Sequence, residues 1–338
     1  MRTKIINLIL ACFMISCAQK KEESKIMQNP HITADNFVKE VMKKMKHFPQ
    51  EKVYSLGYGS SYCFFEVFIN DFPVFKEFKT GAGNSGFEIN PYISKSGKQK
   101  VTYKMYPANK SEFGNYTILR DNSFIELDLV SYDMKNQGKD DVEYSKHKSP
   151  MNKVTVQNKI GDAYTPPKSA LGGKDYYEGS FEIEVDVPFI HPMPYENARD
   201  LTKMDKKELE AKVLQFYEKL KLIYNNKEVD NIARINFDAT SNELCSLYLT
   251  EKEIEKKWKE IIESVNSNDF KIQRIENYKL QFYGNGKLVS LISKSTEAHL
   301  RQNSALWAKY TDEDGDLSGL KIIIYLYIPE GETEFKVY

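Results

Sequence analysis

Few side chains in this sequence have a type and spacing that could do chemistry. Four cysteines stand at 12, 17, 63 and 245, and five histidines are scattered through 338 residues. Zinc sites need Cys or His pairs a few residues apart, and no spacing here suggests one. The alternating aspartates of DEDGD (312–316) raise calcium. An EF-hand loop begun at Asp312 needs Gly at its sixth place and Glu at its twelfth. Those places hold Leu317 and Ile323, so an acidic hairpin tip is the better reading. The glycines of TGAGNSG (80–86) lead into a further strand, whereas a phosphate cradle needs a helix N-terminus. A serine nucleophile elbow and metal-binding His pairs are missing from the sequence. His299, in STEAHLRQ, is the only histidine after residue 200. It sits in a polar connection and reads as an exposed loop residue rather than a general base. Tyr283, Tyr310, Tyr325 and Tyr327 could hydrogen-bond a ligand, but tyrosines on a sheet more often pack with a wet hydroxyl. The expectation is no catalytic residue, no cofactor and no metal.

Cys17 has a different chemistry in view. MRTK is a basic start, and the apolar run IINLILACFMIS that follows has the length of a signal-peptide core. It is too short to span a bilayer, which takes about 20 apolar residues. The run ends in Met14-Ile15-Ser16-Cys17, which resembles a bacterial lipobox, where the cysteine becomes the acylated first residue of the mature chain. Met14 stands in place of the usual leucine. Cys12, after Ile9-Leu10-Ala11, is the rival lipid site. It would leave an apolar FMIS start and a core of only about seven residues, so Cys17 is preferred. An ordinary apolar N-terminal helix is the remaining alternative. AQKKEE (18–23) resembles the short Lys- and acid-rich signal that sends lipoproteins of Bacteroidetes to the cell surface; a charged, solvated tether is the plainer reading. Together these resemblances imply an outer-membrane lipoprotein, periplasm-facing or at the cell surface, lipidated at Cys17 and partnered with the membrane through that anchor. Each buried methylene of the acyl chains adds about 0.8 kcal/mol to the attachment.

Composition bounds the rest. The length is that of about two domains. Hydrophobic residues make up 41% and charged residues 28%, enough apolar side chains for a sizeable core. Lys plus Arg and Asp plus Glu both number 48. Loss of residues 1–16 removes Arg2 and Lys4 and leaves a mature chain near −2, with no basic footprint for nucleic acid. Without Cys12, and with Cys17 lipidated, Cys63 and Cys245 remain. Their apolar surroundings in different segments favour two buried free thiols over a bridge.

The elements that would position any site follow from periodicity. After the signal peptide (1–16) and lipidated tether (17–34), residues 35–50 form a short amphipathic helix with Asp35 as N-cap. Its stripe is Phe37, Val41, Met45 and Phe48. Its lysines face water if it docks on the domain that follows, or anionic lipid if it lies near the anchor. Residues 51–190 read as strands. SYCFFEVFIND and FPVFKEFKT are joined by the hairpin signal Asn70-Asp71, and SFIELDLVSYD and YYEGSFEIEVDVPF are two more strands. Lys135–Lys174 reads as a long polar rim loop. An antiparallel β-sandwich is expected, resembling immunoglobulin-like and jelly-roll sandwiches at fold level only.

The proline-rich HPMPYENARD (191–200) marks a boundary, after which the period changes. Asp205 and Glu208 open a long helix striped by Leu209, Val213, Phe216, Leu220 and Tyr224. A short second helix follows. Thr250 with Glu253 is a capping box for a third, whose stripe is Ile254, Trp258, Ile261 and Val265. The hairpin YKLQFYGNGKLVSLI and three further strands complete residues 200–338. The fold class is α+β: a sandwich, then a cone-shaped domain of three helices and a curved antiparallel sheet.

By this element order, VLQFYEKLKLIYNNKEVDNIARI and the sheet after it resemble the nuclear transport factor two-like, or SnoaL-like, fold. The chain as a whole resembles two-domain envelope lipoproteins of Gram-negative bacteria, some of them suspected immunity proteins. The fold resemblance implies a pocket inside the cone, which enzymes of the fold line with an Asp or His. Three functions are therefore expected in order: a non-enzymatic, lipid-anchored protein that binds a protein partner or small ligand; an immunity protein against a periplasm-delivered toxin; and a ligand-binding or enzymatic use of the C-terminal pocket. Side chains such as Phe282 and Trp307 filling that pocket would remove the third.

Overall fold

The computed structural model describes residues 26–136, 141–152 and 167–338. Cys12, Cys17, the signal segment and the tether through residue 25 lie outside them. Eight strands make the first part: β1 (Lys52–Ser61), β2 (Cys63–Ile69), β3 (Phe72–Glu77), β4 (Gly83–Glu88), β5 (Gly97–Pro107), β6 (Phe124–Asp133), β7 (Val142–Lys148) and β8 (Tyr177–Val185). They form two antiparallel sheets, ordered β4-β1-β6-β7 and β3-β2-β5-β8. Alternate residues of a strand face opposite sides. Ile125, Leu127 and Leu129 of β6 therefore meet Phe65, Val67 and Ile69 of β2 and Val101 and Tyr103 of β5 in one core. The β2–β3 hairpin turns on Asn70 (φ 50) and Asp71 (φ 68), both in the left-handed region that a two-residue turn requires.

Strand β7 lies inside the stretch expected to be one long loop. Six of its seven residues are exposed, so no apolar alternation marks it. It pairs with β6 as an edge, and Lys146 and Lys148 reach Glu126 and Asp128 across the ladder. Lysines on an edge discourage pairing with other chains.

Helix α1 (Phe37–Lys44) is entered without a side-chain cap from Asp35. Thr33 and Asn36 instead bond each other's backbone N–H groups, at 2.8 and 3.2 Å, and set the entry turn. The helix docks away from the strands that follow it. Phe37 stacks on Trp258 at 4.0 Å, and the Trp258 indole donates to the Ala34 carbonyl at 3.0 Å. Trp258 belongs to the last of three C-terminal helices, α2 (Lys206–Asn225), α3 (Val229–Ser246) and α4 (Glu251–Asn266). Asp205 caps α2 by accepting from the Lys207 and Glu208 amides, and the Thr250–Glu253 capping box forms as expected. Helix α3 runs for 18 residues rather than the expected short segment.

The remaining strands are short: β9 (Lys271–Ile272), β10 (Tyr278–Tyr283), β11 (Leu288–Ser293), β12 (Trp307–Thr311), β13 (Leu317–Lys321), β14 (Leu326–Tyr327) and β15 (Lys336–Val337). They form the sheets β10-β11-β14-β15 and β13-β12-β9. Among the described residues the fold is mixed α+β, with four α-helices and four antiparallel sheets, none closed. Every residue of β11 is buried under α2, where the Tyr217 hydroxyl accepts from the Leu291 amide at 3.1 Å and contacts Ser290 and the Ile324 carbonyl. A third apolar cluster joins the parts: Phe68 and Phe72 from the sheets meet Tyr283, Leu288, Tyr327 and Tyr338.

Candidate functional site

Helix α3 presents Asn236, Ala239, Thr240 and Glu243 at a spacing of three, four and seven residues, which places them on one face. That face forms one wall of a cavity of about 440 Å³. The opposite wall is β3, from Phe72 to Lys76, with the 3₁₀ turn at Pro91 and Tyr92 beside it. Tyr283, Ile323–Tyr325 and the terminal Val337 and Tyr338 close the remaining side. The volume falls within the range of small-molecule sites.

Six aromatic rings gather in the lining, with Phe72 of the hairpin at their centre. It stacks on Tyr92 at 5.4 Å, tilts against Tyr325 at 4.9 Å and meets the edge of Tyr338 at 5.9 Å. Tyr283 stands perpendicular to Tyr325 at 5.6 Å. Burial pushes the Tyr92 phenol up to about 12, and raises Tyr283, Tyr325 and Tyr338 further. All four are neutral hydroxyls at physiological pH. Tyr338 is held by Asn242, whose amide donates at 2.9 Å, and it reaches Met193 Sδ at 3.2 Å. The hydroxyls of Tyr92, Tyr283 and Tyr325 bond no other described residue, and none of the three is sealed from solvent.

Three charged side chains line the cavity, and they are not equivalent. Glu66, the one acidic residue of the buried strand CFFEVFI, accepts from the Tyr106 hydroxyl at 2.8 Å. Lys76 donates to the Gln302 carbonyl, and burial holds its ammonium down to about 8 despite the attraction of Glu66. Glu243 remains open to solvent, and its carboxylate has neither a hydrogen bond nor an ion pair among the described residues. Crowding by protein raises its pKa, the Glu88 carboxylate adds to that, and Lys257 opposes it. Glu243 is the charged group of the lining that no hydrogen bond or ion pair holds, with Lys257 acting on it only through space.

Of the residues singled out from sequence, Tyr283 and Tyr325 line this cavity. Tyr327 is buried beside it, and Tyr310 lies away on β12 near Phe270. His299 is exposed, 3.5 Å from Glu297 and edge-on to Trp307. Asp312 accepts from the Asp316 amide and the Ser318 hydroxyl, which makes DEDGD a self-bonded hairpin tip. No group of described residues has the composition of a metal site. Cys63 and Cys245 are free and buried, with thiols raised by burial to about 12 and about 11. Phe282 and Trp307, whose filling of a C-terminal pocket would have removed the third reading, do not line this cavity, which lies between the sheets and α3 rather than inside the C-terminal segment alone. Sequence reasoning missed Glu66, Phe72, Lys76, Tyr92, Glu243 and Tyr338. The signal for one was visible: a lone Glu inside an apolar strand. No protein-family model, curated protein or solved structure matches the chain.

Proposed function

We propose that this is a lipid-anchored cell-envelope protein of the non-enzymatic, binding type, which holds a small ligand in the cavity between β3 and α3. The observation that carries the reading is the lining itself. A volume of about 440 Å³ is lined in part by six aromatic rings and presents three tyrosine hydroxyls and one carboxylate without protein partners among the described residues. These groups are open to solvent, and a bound molecule would replace the water that meets them. In this reading Cys17 carries the acyl chains, and the protein sits on the outer membrane, at the periplasmic or external face. The nine peptide steps from Cys17 to Ile26 span at most about 30 Å, which would keep the globule close to the leaflet. The two N-terminal sheets, which share one core, are read as a β-sandwich. The three helices with the sheets after them are read as a nuclear transport factor two-like cone.

Native mass spectrometry of the full protein, extracted from its own membranes in mild detergent, tests both parts. The polypeptide should begin at an acylated Cys17 and carry a non-covalent small-molecule mass. Ala239→Trp, which fills the cavity, should lose that mass while keeping the lipid. An unmodified N-terminus retaining Met1 contradicts the anchor. An adduct unchanged in the Trp variant, or no adduct on either protein, contradicts the cavity.

A further inference from the structure

The charge of the cavity lining points to the class of molecule it takes. Glu66 and Lys76 lie within each other's field on the β2–β3 side, and both have hydrogen-bond partners. On the α3 side Glu243 has no hydrogen bond or ion pair among the described residues and is answered only at a distance by Lys257, with Tyr92 and Tyr338 close enough to feel its charge. The net unanswered charge is therefore negative, and it is ringed by phenol and phenyl faces. Aromatic faces attract cations through the ring quadrupole. They give no such attraction to an anion, which Glu243 would also repel.

From this juxtaposition we infer that the ligand is a small organic cation, an ammonium group carried on an apolar body. The ammonium pairs with Glu243 against the rings of Tyr92 and Tyr338. The apolar body lies along Phe72, and the free hydroxyls of Tyr283 and Tyr325 meet whatever polar group the molecule bears at its far end. Thr240, one turn before Glu243 on the same helix face, supplies a further hydroxyl at the charged end. The inference rests on the cavity being a ligand site and adds the sign of the ligand's charge.

Isothermal titration calorimetry on the full-length protein in detergent, with four probes of similar shape, tests it. Benzyltrimethylammonium and phenethylammonium should bind at least tenfold more tightly than 3-phenylpropionate and 2-phenylethanol. Glu243→Gln should weaken both cations at least tenfold with little change in melting temperature, because the side chain has no structural partner to lose. Glu243→Lys should reverse the preference towards 3-phenylpropionate. Preferred binding of the anion or the alcohol by the unaltered protein, or undiminished cation binding by Glu243→Gln, overturns the cation assignment and leaves the small-ligand reading standing. Binding of none of the four overturns both.

Discussion

Lys76 shows how a single side chain can record the cost of building the cavity. Its ammonium is crowded by protein and lies in the field of Lys321 and Lys279, with only Glu66 answering it. The folded pKa of about 8 lies below the ordinary lysine value of 10.5. Between those values the unfolded chain binds more protons than the folded one, so this residue makes stability rise with pH across that window. Lys76→Met should remove the rise. Its urea midpoint relative to the unaltered protein should be highest at pH 7 and fall by pH 9.5; a difference independent of pH would contradict the burial of the ammonium. Residues of this kind were not legible in the sequence. Lys76 sits in FPVFKEFKT among charges typical of a half-exposed strand, and only the approach of a distant segment buries it. Glu66 was more legible, since a carboxylate flanked by Phe64, Phe65, Val67 and Phe68 has to find a donor.

At the level of elements, the strongly patterned segments were readable and the weakly patterned ones were not. The capping box at Thr250, the Asp205 cap and the two hairpin turns at Asn70-Asp71 and Asn285-Gly286 depend on local chemistry, so they appear where the sequence put them. Helix α3 is rich in Asn, Asp, Ser and Thr, which are poor helix formers, and it looked short. Those residues are the reason the helix matters. Asp238 accepts from Gln28 and Asn29, and Asn242 donates to the Pro91 carbonyl and to Tyr338. Ser246 offers its carbonyl to Asn90. Tertiary bonding holds this helix where propensity alone would not. Helix α1 is held against it by apolar contact, with Phe37 fully buried between Trp258 and Phe237. Phe37→Ala should cost about 3–4 kcal/mol by cavity formation, measured as a lowered urea midpoint. A change below about 1 kcal/mol would mean that α1 does not dock there.

For the whole molecule, the order of elements was legible but their mutual packing was not. Nothing local announces that an N-terminal helix will pack on C-terminal helices, or that Gln28 will bond both the amide and the carbonyl of Val337 at 2.8 Å. The cavity arises from this long-range packing. Asn90, completely buried, accepts from the Tyr54 amide and donates to the Lys52 and Ser246 carbonyls, tying the first sheet to α3. With walls fixed on both sides, the site is preorganised, and a ligand would lose little affinity to ordering the protein.

The most direct measurement is fluorine NMR of the full protein labelled with 3-fluorotyrosine and titrated with the small-molecule extract of the cells that make it. The account predicts that the resonances of Tyr92, Tyr283, Tyr325 and Tyr338 shift together while that of Tyr310 stays fixed. Shifts spread over the surface tyrosines, with the four cavity signals unmoved, would contradict it.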